Sequence, residues 1–158
     1  MPPAARAYFI TFRTHGTWLH GDGRQSMHRP RAHGYHAPAI GPSPRLRDGS
    51  HASMNSEAVV LDVGSRAVVN TAVGGVCSHR GWGLFAVNAR TNHVHVVVSL
   101  SCTPEEAMGT FKAWCTRRLR EAGHFAVDAR VWARHGSTRY LWSEAAVAGA
   151  VRYVLEGQ

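Results

Sequence analysis

Lysine is nearly absent from this chain: of its 18 basic residues only Lys112 is a lysine and the rest are arginines. Acidic residues are scarce as well, 10 against those 18, which leaves a formal charge of +8 at pH 7. A planar guanidinium pairs bidentately with phosphate oxygens, so the imbalance points to a polyanionic partner, above all nucleic acid. A GC-rich coding sequence also raises arginine at the expense of lysine, but it does not account for the net charge. Cysteine is limited to Cys77, Cys102 and Cys115. That odd, widely spaced set excludes a disulfide framework and a CxxC metal knuckle, and predicts reduced, buried thiols. No apolar run approaches the roughly 20 residues that a membrane-spanning helix needs, and the opening MPPAARAYFI lacks the apolar centre of a signal peptide, so a cytoplasmic protein is expected.

What is present suffices for a core. With 44% hydrophobic and 9% aromatic residues, the chain is neither a disordered tail nor a fibre, and 158 residues make one ordinary domain. Residues 7–14, AYFITFRT, alternate Tyr8, Ile10 and Phe12 with Phe9 and Thr11, a strand by its period of two. From about 16 to 56 the periodicity vanishes. Residues 21–52 hold five Gly, four Pro, four His and five Arg against Asp22 and Asp48, a long basic loop inserted in the domain. Asp62 caps a helix predicted to reach Arg80, closed by Gly81, although Gly74 and Gly75 weaken its middle. Strands at about 83–89 and 93–100 follow as an antiparallel pair. Thr103, Pro104 and Glu106 form a capping box that opens a helix to Ala122, with Met108, Phe111, Cys115 and Leu119 as its apolar stripe. Residues 131–142, VWARHGSTRYLW, predict a bent strand or short hairpin, and Ser143 caps a last helix from Glu144 to Glu156. The order β-α-β-β-α-β with a final helix predicts an α+β, ferredoxin-like antiparallel sheet with helices packed on one face.

The string carrying most chemistry is His93-Val94-His95 within TNHVHVVVSL. On a strand, residues two apart project from the same face, so both imidazoles stand together while Val94, Val96 and Val98 fill the core side. Two charged imidazoles there would repel, and a shared divalent cation removes that conflict. Alone, this pattern leaves zinc hydrolases, cupin-like sites and nucleases open. In the last helix the stripe is Val147, Ala150, Val151 and Val154, and at about 100° per residue Tyr153 falls well off its centre. Tyr153 is therefore not required as a core residue.

The HxH strand preceded by Asn92, the helical Arg152-Tyr153-Val154 with Gln158 beyond it, and the segments AYFITFRTHGTWLHGD and VWARHGSTRYLW together resemble the single-tyrosine HUH transposases. The resemblance is nearest to the REP-associated tyrosine transposases and insertion-sequence transposases, and it spans most of the chain outside 24–56. It implies a ferredoxin-like fold, a single-stranded DNA substrate such as a hairpin end, and one divalent cation, Mg²⁺ or Mn²⁺. On matching positions it makes His93 and His95 metal ligands, Tyr153 the nucleophile and Gln158 the third ligand. The family's polar ligand stands four residues after its tyrosine; here Gly157 holds that position and Gln158 is the fifth. DNA contacts are expected from Arg134, His135, Arg139 and Arg152, with Lys112, Arg117, Arg118 and Arg120 as a more distant grip. Trp18 and Trp114 are candidates for stacking on bases, whereas Trp82, Trp132, Trp142, Tyr8, Tyr35 and Tyr140 are assigned to packing, strand ends or loop surface. A non-catalytic binding module on the same fold and a water-activating metal hydrolase stay open, as does the choice between monomer and homodimer.

Overall fold

The computed structural model of the chain describes residues 4–16 and 58–157. Apart from Gly16, the expected basic loop at about 16–56 lies outside the described residues, as do Trp18, Tyr35 and Gln158. The elements run β1 (Ala7–Thr14), α1 (Val63–Arg80), β2 (Gly83–Ala89), β3 (His93–Ser99), α2 (Pro104–Glu121), β4 (Trp132–Leu141) and α3 (Glu144–Glu156). Four strands form one antiparallel sheet in the order β2-β3-β1-β4. This is the α+β arrangement the sequence predicts, with β3 and β1 in the centre. No described helix is long and apolar enough to cross a bilayer.

Local chemistry explains the element ends. The Asp62 carboxylate accepts from the Ser65 N–H at 2.7 Å and opens α1, while Gly81 at φ 70° lets the Trp82 N–H return to the Cys77 carbonyl at 2.9 Å. Helix α1 runs unbroken through Gly74 and Gly75 because Val69, Val73, Val76 and Cys77 are all buried on its inner face. Packing there outweighs the propensity cost of two glycines. In α2 the capping box is complete: Thr103 accepts from the Glu106 N–H at 3.2 Å and Glu106 accepts from the Thr103 N–H at 3.0 Å.

Residues 132–141 form a single strand, not a hairpin. The bend expected around Gly136 is instead a register irregularity opposite Phe12 and Thr14. Gly136 is required there because a Cβ would run into the Thr11 carbonyl and the Met108 side chain.

Helices α1 and α2 cover one face of the sheet. Ile10, Phe12, Val94, Val96 and Val98 meet Val73, Phe111 and Leu119 in the main core. Helix α3 lies on the other face, where Ala7, Ala86, Val97 and Leu141 meet Val147 and Val154. The expectation that all helices share one side is thus refined to two and one. The reason is in the strands: alternation gives β1, β2, β3 and β4 a second, smaller apolar set that must also be covered. Cys77 and Cys115 are buried and Cys102 half-buried, all as free thiols. Burial pushes Cys77 up to about 11 and Cys115 up to about 12.

Candidate functional site

The face covered by α3 carries both histidines of the HxH motif. Their rings lie 4.6 Å apart between centroids, inclined at 66°. Thr11, which pairs with His95 across β1 and β3, places its hydroxyl 2.8 Å from His95 Nδ1. His93 Nδ1 lies 2.8 Å from the Asn92 amide oxygen. An amide oxygen only accepts, so His93 carries its proton on Nδ1. In both rings Nδ1 is thus engaged by an oxygen that holds the ring angle; the Thr11 hydroxyl can donate or accept, so at His95 the contact fits either tautomer.

His95 is only 7% exposed, and its pKa is pushed down to about 4 by burial first, then by the charges of His93, Arg13 and Arg90. The imidazole is therefore neutral near pH 7, the protonation state a metal ligand requires. Arg13 is the cross-strand partner of His93, and the Arg90 N–H donates to the His93 carbonyl at 2.8 Å. Two guanidinium groups consequently bring positive charge to the rim of the pair.

Tyr153 joins this face from α3. Its neighbour Val154 is fully buried against the sheet, while Tyr153 is 48% exposed. The phenol ring sits 5.7 Å from the His95 ring and 6.0 Å from the Phe9 ring, near edge-to-face with the latter at 86°. Phe9 in turn lies 5.1 Å from His95. Ring-to-ring packing thus brings the three sequence-selected residues His93, His95 and Tyr153 into one cluster. Among the described residues no group of three or more His, Cys, Asp or Glu could hold a metal ion, so a cation on the two imidazoles would need other donors to complete its shell.

The expected DNA contacts separate. Arg139 is exposed and pairs with Phe9 on the histidine face, beside the cluster. Arg134 and His135 are exposed farther along β4, and Arg152 lines a groove of about 660 Å³ along α3 with Phe85, Val151 and Leu155. Lys112 is turned inward. Its ammonium donates to the Ala133 carbonyl at 2.9 Å and to those of Arg134 and His135 at 3.4 Å, satisfying the irregular stretch of β4. Arg117, Arg118 and Arg120 belong to α2, which packs on the opposite face of the sheet from the histidines. Arg118 is paired with Glu121 at 3.0 Å and lies over Trp114, whose ring packs against His79 and the main core.

Trp82 and Trp132 are buried, as packing residues should be. Trp142 is 55% exposed and Tyr140 45% exposed at the β4 edge, with Tyr140 also edge-on to Tyr8. Sequence reasoning missed Thr11, Asn88, Arg13, Arg90 and Phe9 as neighbours of the site. Thr11, Arg13 and Phe9 were legible only as members of a strand, because register, not spacing, decides whom they face.

Comparison with known proteins gives this chain no match by sequence: no family model and no curated protein matches it. Among solved structures it is similar to a REP-associated tyrosine transposase bound to a REP hairpin, with a TM-score of 0.46 and 11% identity over 94% of this chain. The match spans 63% of that structure's chain.

Proposed function

We propose that this protein is a DNA strand transferase that cleaves and rejoins single-stranded DNA at hairpin ends, using Tyr153 as nucleophile and His93 and His95 to hold a divalent ion such as Mg²⁺ or Mn²⁺. The observation that carries the reading is the packing of the Tyr153 ring on His95, a buried neutral imidazole already paired with His93 on one sheet face. Two neutral imidazoles are softer donors than Mg²⁺ prefers, so the pair also fits Mn²⁺, Co²⁺ or Ni²⁺. When bound, the ion would supply charge to a non-bridging phosphate oxygen. Gln158 is the candidate for a further donor on sequence grounds alone.

Each group of the chain then has a task. Tyr153, half exposed, attacks phosphorus as its phenolic proton is lost, the phosphorus–O3′ bond breaks, and O3′ takes up a proton to leave as a hydroxyl. The product is a 5′-phosphotyrosyl ester. Such an ester retains about the energy of the phosphodiester, so another 3′-OH reverses the step and rejoins strands without a nucleotide cofactor. Arg13 and Arg90 surround the reacting phosphate with positive charge, and Arg139 extends that charge along the strand.

The test is a labelled hairpin oligonucleotide with Mn²⁺ or Mg²⁺, resolved on a denaturing gel for wild type, Tyr153→Phe, His93→Ala and His95→Ala. A protein–DNA adduct in wild type alone is the expected result, each variant losing at least about a hundredfold in rate. Cleavage that survives Tyr153→Phe without an adduct would overturn it in favour of activated water. Hairpin binding with no adduct in any divalent metal would overturn it in favour of a binding module.

A further inference from the structure

Asn88 belongs neither to the histidine strand nor to the tyrosine helix, yet it stands beside one and bonds the other. In the β2–β3 ladder it is the cross-strand partner of His95. Its side-chain amide donates to the Val154 carbonyl at 2.9 Å. That carbonyl lies in the last turn of α3. The preceding carbonyl, that of Tyr153, is taken by the Gly157 N–H at 3.0 Å.

The mechanical setting makes this bond consequential. Helix α3 buries Val147 and Val154 in line on its sheet-facing side, with Ala146, Ala150 and Val151 partly buried beside them. Val154 is the last of these apolar residues, and beyond it the final turn can fray. Tyr153 and Val154 are adjacent, so their side chains differ by about 100° around the helix axis. Holding Val154 by both its side chain and its carbonyl fixes the azimuth at which Tyr153 meets His95.

We propose that Asn88 is a positioning residue whose carboxamide ties the final turn of α3 to the strand next to His95 and thereby presents the Tyr153 phenol to the histidine pair. The inference rests on the reading of Tyr153 as nucleophile, but the tether itself is measurable without metal or DNA. Asn88→Asp keeps the shape and removes the donor, placing an acceptor against the Val154 carbonyl; Asn88→Ala removes the group without adding charge. In the metal-free protein, amide hydrogen exchange over Tyr153–Gly157 is expected to quicken about tenfold in both variants, with β1, β3 and the first two turns of α3 unchanged. On a hairpin oligonucleotide with Mn²⁺, single-turnover adduct formation is expected to slow about tenfold while hairpin affinity stays within about twofold.

Unchanged exchange in the last turn overturns the proposal. So does faster exchange throughout the domain, which would mark Asn88 as a general stabiliser. Accelerated exchange confined to the last turn, with an adduct rate equal to wild type, overturns the link to Tyr153 chemistry. If wild type forms no adduct but the local exchange still quickens, the nucleophile reading fails and the tether stands.

Discussion

The two faces of the sheet are built differently. On the α1 and α2 side, valines at 94, 96 and 98 meet Phe12, Phe111 and Leu119 in a continuous apolar core. On the α3 side the apolar set is short, Ala7, Ala86, Val97, Leu141, Val147 and Val154, and it gives way along β3 to His95 and His93. The same strands line both faces. The contrast teaches that the thick face supplies the stability that lets the thin face carry one buried imidazole beside a half-buried one, and a helix held by few contacts.

The largest effect that would test this contrast is on stability. Phe111→Ala is expected to cost about 3–5 kcal/mol, whereas Val147→Ala, which removes a smaller group from the thin face, should cost about 1–2 kcal/mol. Urea unfolding of both variants measures the difference, and equal losses would dissolve the distinction between the faces.

Next in size is a dependence on pH centred on His95 of the thin face. His95 has an ordinary value of 6.5 and is pushed down to about 4 in the folded chain, chiefly by burial. Between those values the unfolded chain binds the proton and the folded chain does not. Stability is therefore fully present above about pH 6.5 and falls as acid is added towards pH 4, by on the order of 3 kcal/mol. Urea unfolding in chelator at pH 7.5 and pH 4.5 checks the loss, and an equal slope in His95→Gln would remove His95 as its source.

The smallest effect separates arginines by face. Arg139→Ala, beside Phe9 and the cluster, is expected to reduce the salt slope of single-stranded DNA affinity by about one, while Arg117→Ala on α2 leaves it unchanged. The reverse ranking would move the nucleic-acid path to the helical side and would restore the α2 cluster as a primary grip.

Periodicity and end signals made most of the fold legible. The alternation in AYFITFRT, the Asp62 and Thr103 caps and the Ser143 cap all sit where the elements begin. Two features escaped. Residues 131–142 were ambiguous between hairpin and strand because a Gly-Ser pair signals a turn equally well as a strand irregularity. Lys112 reads as a surface charge on a helix, yet it is committed to β4 carbonyls 21 to 23 residues away, a pairing no local pattern encodes.

The candidate site divides along the same line. That His93 and His95 share a face, and that Tyr153 lies off the apolar stripe of its helix, follow from the strand period of two and the helix period of 3.6, so sequence alone determined them. That the two motifs meet was decided by tertiary structure. It placed α3 on the histidine face instead of beside α1 and α2, set Thr11 and Asn88 opposite His95 through register, and buried His95 deeply enough to hold it neutral. Side-chain direction is local geometry and travels with the chain. Proximity between residues 60 positions apart depends on which apolar faces must be covered, and only the packed domain settles that.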